Sequence, residues 1–227
     1  MSLDQMPTTP KRRKTSAQLA RDPERTKAVI LAAAIHEFRE QGYDGARIDA
    51  IAERSGFNKR MIYHYFGGKD ELYLAALESA YSGIRTAENE LELEDLEPTE
   101  AIRKLVRFTW IYFLEHPEFL SILATENLLK ARYLKRSPRT VSLHPPLTTR
   151  IASILAKGAK SGVFRKDVDA VNLYITIASI GAFYLSNKWT LSTIFERSLT
   201  ASDMVARWGS HMEEVMLGYL RPGGEGA

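Results

Sequence analysis

Apolar positions recur along this chain at helical spacing. Val29, Ile30, Ala33, Ala34 and Phe38 line one side of a helix from about Arg25 to Gln41, which Gly42 ends. Ile48, Ile51 and Ala52 mark a short second helix, stopped at Ser55-Gly56. Asn58 is a suitable N-cap for a third, with Ile62 and Phe66 turned inward. Gly67-Gly68 breaks the chain, and a long helix restarts near Lys69 with Leu72, Leu74, Ala75 and Leu77. Pro98 fits the first turn of the next helix, which reaches about His116 before a restart at Pro117. After the breaker-rich "KRSPRTVSLHPPLTT" comes a helix from about Leu147 to Lys160. "SGVF" then turns the chain. Asp167 is expected to cap a long helix over Ala170–Asn187, and a last helix runs from about Asp203 to Leu220. No stretch alternates with period two long enough to require a sheet, and no internal repeat is present. The pattern predicts an all-α protein with a small N-terminal three-helix unit and a larger helical bundle behind it.

Composition narrows the classes. The 227 residues include no cysteine, which excludes disulfides and thiolate metal sites and fits a reducing cytoplasm. The first residues carry charge but no apolar core, so they do not read as a secretory signal. Ala170–Asn187 is uncharged and approaches spanning length, yet it holds two Asn, two Ser, a Thr and two Tyr. A helix buried in a core or a subunit interface is the better reading, and no membrane partner is expected.

Net charge is only +3, but it is unevenly spread. Residues 1–27 hold seven Lys/Arg against three acids. Glu88, Glu90, Glu92, Glu94, Asp95, Glu97 and Glu100 follow without a base between them, and then Asn127 to Lys166 carries ten Lys/Arg and no acid. Such blocks are usually solvated faces.

Two short helices joined by "ERSGFNKR" form a helix-turn-helix pattern, with Gly56 at the reversal and the small Ala52 where the helices cross. In that motif the N-terminal residues of the second helix meet base edges and the first helix crosses the phosphate backbone. Asn58, Lys59 and Arg60 stand at those positions. Each residue alone has a plainer reading, as solvated charge or a core aromatic; the joint spacing favours DNA.

The stretch "GYDGARIDAIAERSGFNKRMIYHYFGGKDELY" resembles the DNA-binding domain of TetR-type bacterial regulators. It carries Ile51-Ala52, the Ser55-Gly56 turn, Tyr63-x-x-Phe66, and Lys69 before Asp70-Glu71-Leu72. The resemblance covers roughly Arg25 to Tyr81. It implies a homodimer on a palindromic double-stranded operator, and a C-terminal domain that shifts the DNA heads when a small-molecule effector binds. It also implies that Tyr63 and Lys69 contact phosphate and that His64 is a variable contact. The family usually opens its second helix with a Thr; here Ala46 and Arg47 stand there, so Arg47 replaces the phosphate contact and the cap is lost. "KRRK" at 11–14 reads as a tail, or as an arm entering the minor groove. The expected divisions are 1–24 as a basic arm, 25–72 as the DNA-binding domain, 73–220 as the ligand-binding and dimerisation domain, and 221–227 as a frayed tail.

Past Tyr81, "HPEFLSILATENLLKARYL", "GVFRKDVD" and "LSNKWTLSTIF" resemble a TetR subgroup that includes regulators of pyrimidine and nicotinate breakdown genes. Apolar pockets between bundle helices are the default ligand site. Trp110, Phe113, Phe119, Leu123, Tyr174 and Tyr184 are candidate walls, with plain core packing the alternative for each. Glu126 and Asn127 are candidate orienting groups, Glu126 alternatively a salt-bridge partner. An anionic effector would be gripped by Arg132 or Arg150, because Arg meets a carboxylate bidentately; the alternatives for these bases are pairing with the acidic run or facing solvent.

Ala170–Asn187 and Asp203–Leu220, with Trp208, Met212, Val215 and Leu217, are the expected dimer interface. Enzyme readings find no support. The five His are scattered, no phosphate loop or nucleophile elbow is present, and His211 with Glu214 supplies too few ligands for a metal. No cofactor is expected. The competing reading is a DNA-binding protein of the same fold whose C-terminal half only dimerises.

Overall fold

The computed structural model describes residues 22–137 and 145–222. The basic "KRRK" segment, the middle of the Pro-rich loop and the last five residues lie outside the described residues. Every regular element among the described residues is helical, and the chain divides into two compact units, residues 1–73 and 74–227.

The first unit holds α1 (Pro23–Gly45), α2 (Ile48–Ser55), α3 (Lys59–Phe66) and the first residues of α4 (Lys69–Asn89). Asp22 caps α1, its carboxylate accepting from the Arg25 N–H at 3.1 Å, and Pro23 fits the first turn. Gly42 interrupts α1 at φ 65°, a conformation that favours glycine, though helical geometry resumes to Gly45. Ile30, Ala34, Phe38, Ile51, Ile62, Leu72 and Tyr73 are fully buried in this unit. The Tyr73 ring meets Phe38 edge-on at 5.0 Å.

The second unit continues α4 and adds α5 (Pro98–Glu115), α6 (Pro117–Leu128), a single 3-10 turn at Leu134–Arg136, α7 (Pro145–Lys160), α8 (Ala170–Ile194) and α9 (Ser202–Leu220). Its main core packs Ile102, Leu105 and Val106 of α5, Ile151 and Ile154 of α7, Leu173 and Ile177 of α8, and Met212 and Met216 of α9. Asp169, not Asp167, caps α8, accepting from the Asn172 N–H at 2.7 Å. Asp167 itself takes a left-handed turn at φ 63° before the helix. The helix also runs further than the uncharged stretch, through Lys188 to Ile194. Among the described residues no helix is long and apolar enough to cross a membrane.

Candidate DNA interface and ligand domain

The turn between α2 and α3 positions the first site. Gly56 sits at φ 71° and ψ 13°, with no atom within 4 Å of where a Cβ would point, so the reversal needs glycine for its backbone rather than for space. Asn58 caps α3, its side-chain oxygen accepting from the Met61 N–H at 3.1 Å. Ile62 is fully buried and anchors α3. The opposite face, Lys59, Arg60, Tyr63 and His64, is exposed, with Tyr63 at 51%. The pair Lys59 and Arg60 and the pair Tyr63 and His64 lie four residues apart, about one turn, and share one side of the helix.

Two of the expected contacts, Lys59 and Lys69, are engaged within the unit through their side chains. Lys59 is ion-paired with Asp49 in the first turn of α2. Lys69 donates from Nζ to the Asp44 carbonyl at 3.2 Å and lies 4.8 Å above the Tyr43 ring. Tyr43 in turn donates to the Asp70 carboxylate. Arg47 precedes α2 with no side-chain cap, as expected, and is exposed. Its backbone N–H is accepted by buried Glu37 of α1 at 3.2 Å. Glu37 thus supplies from a neighbouring helix what the carboxylate of a capping box supplies from within.

The ligand domain redistributes the other expected residues. Trp110 and Tyr184 meet edge-on at 5.6 Å, Trp208 stacks on Tyr184 at 4.5 Å, and the Tyr184 hydroxyl donates to the Leu199 carbonyl at 2.8 Å. Phe113 and Phe119 stack at 5.8 Å, and Phe119 also meets Tyr81 at 5.7 Å; Leu123 is half-buried one turn further along α6. Glu126 is buried and accepts from the backbone N–H groups of Tyr133 and Leu134 at 2.7 and 2.8 Å. It therefore fixes the reversal after α6, where Lys130 and Ala131 both adopt positive φ. Asn127 is exposed and donates to its own helix, at the Leu123 carbonyl.

Arg132 is exposed, its guanidinium 5.4 Å from the Tyr133 ring centre. Arg150 is tied to the acidic run: it contacts Glu94 at 2.5 Å and donates to the carbonyls of Glu88 (2.9 Å) and Leu91. That hydrogen bond holds the Glu94 carboxyl below its usual range. Of the three fates open to these bases, Arg150 takes pairing with the acidic run, not a place in an effector pocket.

The structure instead buries a different arginine. Arg85 on α4 donates from Nη2 to the Tyr174 hydroxyl at 2.6 Å and lies 2.5 Å from Glu88. Burial pushes the Glu88 carboxyl up to about 7, against the pull of Arg85 and Arg150. Burial also raises the Tyr81 and Tyr174 hydroxyls, and takes Tyr112 to about 12. A sequence signal for this cluster exists: Leu77, Tyr81, Ile84 and Glu88 are spaced four, three and four apart, so Glu88 continues the apolar stripe of its helix.

Near the end of α8 an open groove of about 660 Å³ is bordered by Phe183, Tyr184, Leu191, Phe195, Met204 and Trp208. Around it, the exposed side of α8 is largely apolar: Val171, Ile175, Phe183, Trp189 and Ile194 are each about half exposed or more, and the one charge on the helix, Lys188, lies over the Trp189 ring at 5.8 Å. The expectation for α9 is corrected in part. Met212 is fully buried in the chain's own core and Trp208 stacks on Tyr184, whereas Val215 remains exposed.

Residues 30–76 match the model described as bacterial regulatory proteins of the tetR family, and residues 98–216 match the tetracyclin repressor-like C-terminal domain. The chain belongs to the TetR family. This is a family of transcriptional regulators, not enzymes. The TetR chain is 37% identical to the HTH-type transcriptional repressor NicS of Pseudomonas putida over 92% of its own length and 98% of that protein. It is 31% identical to the HTH-type transcriptional regulator RutR of Escherichia coli, over 53% and 57% of the two chains. Among solved structures, a tetR-family protein from Rhodococcus RHA1 superposes with a TM-score of 0.68 at 19% identity, covering 87% of this chain and 98% of that one. The regulator FadR of Bacillus subtilis, solved with stearoyl-CoA, superposes at 0.61 and 17% identity over 86% and 99%. At those identities the likeness concerns the fold.

Proposed function

We propose that this TetR-family regulator is a repressor that binds a palindromic operator as a homodimer and is released by a small-molecule effector. The observation that carries the DNA half is the exposed side of α3, where Lys59, Arg60, Tyr63 and His64 project together from a helix capped by Asn58 and anchored by Ile62. In this reading Lys59 and Arg60 meet base edges, and Tyr63, Lys69 and Arg47 meet phosphate. Similarity to the repressor NicS over nearly the whole of both chains supports repression.

The homodimer follows from α8. A 25-residue helix whose solvent side carries Phe183, Trp189 and Ile194 needs a cover. A second copy supplies one by symmetry, with each α8 and α9 facing its counterpart. The groove at Phe183 and Phe195 opens on that same side and would be closed by the partner. Release by an effector is supported by the cluster of buried Arg85 and Glu88 with the Tyr174 hydroxyl, a few polar groups set among aromatic side chains as small-ligand sites usually are.

The test is protection mapping on DNA flanking the protein's own gene, with and without a small-molecule panel. A symmetric footprint whose affinity falls steeply with salt is expected, and some compound should erase it. Binding indifferent to sequence removes the operator. A footprint that no compound erases leaves the purely dimerising reading.

A further inference from the structure

Arg85 is only 3% exposed, yet its guanidinium is incompletely satisfied. Nη2 donates to Tyr174, but among the described residues neither Nε nor Nη1 has an acceptor in hydrogen-bonding geometry. Glu88, 1% exposed, brings Oε2 within 2.5 Å of Nη1 without lying along its N–H bonds. Buried guanidinium groups ordinarily fill their donors, and a carboxylate is the partner that best matches them. The surroundings are aromatic. The Tyr174 ring lies 5.3 Å from the guanidinium carbon, and Tyr81 and Tyr112 each meet Phe119 edge-on, at 5.7 and 6.2 Å.

We propose that Glu88 keeps the place of an incoming carboxylate, so that a small organic anion binds buried Arg85 by exchanging with Glu88 and taking up its unfilled donors. The exchange rests on the effector-responsive reading above and names the chemistry of that site. It balances in charge only if the displaced Glu88 is neutral, and the carboxyl already titrates near 7. The groups facing it are Arg85 on its own helix, Tyr112 from α5, Arg150 from α7, whose Nη1 holds the Glu88 carbonyl at 2.9 Å, and Tyr174 from α8. Once Arg85 turns to the ligand, Glu88 loses its nearest stabilising charge and takes a proton. Binding above pH 7 therefore consumes one.

The experiment is calorimetric titration of the full chain with acetate and benzoate, each against its uncharged amide, in two buffers of different ionisation heat. The carboxylates are expected to bind in preference to the amides. Above pH 7 affinity should fall by about tenfold per pH unit, with proton uptake. Arg85→Met should weaken acid binding on the order of 10- to 100-fold, the range for losing a charge-assisted hydrogen bond. Glu88→Gln should bind carboxylates more tightly above pH 7, with a flat pH profile and no proton uptake. Equal binding of amides, a flat profile in the wild-type protein, a folded Arg85→Met variant that binds as before, or no acid binding at millimolar concentration would each overturn the exchange. Should Arg85→Met fail to fold, the pH profile of Glu88→Gln decides. An operator footprint that no carboxylate erases would overturn the exchange as a regulatory site and leave the repressor standing. Carboxylate binding without a footprint would do the reverse.

Discussion

Lys59 cannot serve DNA and Asp49 at once, which makes Asp49→Asn a sharp perturbation of the proposed interface. The two side chains are 58% and 51% exposed, and an ion pair so placed contributes ~0–1 kcal/mol. A well-made base contact contributes ~1–3 kcal/mol, so the lysine leaves Asp49 when the operator arrives, at a cost of up to ~1 kcal/mol. Asp49→Asn removes that cost and also a negative charge from the first turn of α2, which crosses the phosphates in this reading. Operator affinity should therefore rise by up to about fivefold. The fold should lose the exposed ion pair, ~0–1 kcal/mol, and the carboxylate's interaction with the helix N-terminus, ~0.3–1 kcal/mol. Fluorescence anisotropy on the protected duplex, over a series of salt concentrations, measures the change. Lys59→Ala should weaken binding and lower the salt slope by about one if the lysine meets phosphate, or relax sequence preference if it meets a base. In the Lys59→Ala background most of the Asp49→Asn gain should vanish, because the gain operates through the lysine. An undiminished gain there would reduce Asp49 to a general repulsive charge. A loss of affinity in the single variant would remove Lys59 from the interface.

Three further outcomes are expected. Gly158→Ala would set a Cβ 2.0 Å from a ring carbon of buried Phe164, overpacking worth ~1–3 kcal/mol and visible as a lowered melting temperature; an unchanged melt would refute the contact. Glu88 holds its proton more tightly folded than unfolded, so ionising it opposes folding, and stability should decline as pH rises from 4.5 to about 7 by up to about 3 kcal/mol. Urea unfolding of Glu88→Gln at pH values on either side of that window should lack this decline, and an identical decline in the variant would assign it elsewhere. Replacing both Phe183 and Trp189 by Asp should turn the expected dimer into a monomer in sedimentation; a wild-type monomer at micromolar concentration, or a variant still dimeric, would contradict the α8 interface.

The elements were legible where a capping or breaking residue stood next to an apolar stripe. Asn58, Gly56, Pro98 and Pro117 all act at helix ends as their chemistry predicts. Asp167 misled because two acids two residues apart both suit a cap, and only backbone geometry chooses Asp169. The surface of α3 was legible because every residue it needs lies within one short segment. The ligand domain was not, because its polar groups find partners far away in sequence. Arg150 meets Glu94 and Arg85 meets Tyr174 across 56 and 89 residues; the charge blocks offered pairing with the acidic run as one of three fates for Arg150 without choosing it, and nothing in them pointed to Arg85. Glu126 shows a related failure: a lone acid in an apolar helix suggested a ligand contact, but its acceptors face the backbone just ahead. Glu37 escaped notice altogether, since a capping carboxylate is sought inside the helix it caps.

The residues of α4 fall on both sides of the division between the units at residues 73 and 74. α4 begins with Lys69 and Asp70, tied to Asp44 and Tyr43 in the first unit, and ends with Arg85 and Glu88 in the second. An allosteric ligand acts only through an element with two arrangements that both sites bias. If an anion takes Arg85 from Glu88, the last turns of α4 lose one tie and gain another, while Arg150 continues to hold the Glu88 carbonyl. Relief of a buried, poorly aligned ion pair would favour the ligand-bound arrangement, since such a pair contributes little net stability where it stands. On this view Arg85 and Glu88 serve the exchange rather than the fold, and a bundle with both replaced by apolar residues should be at least as stable and deaf to the anion.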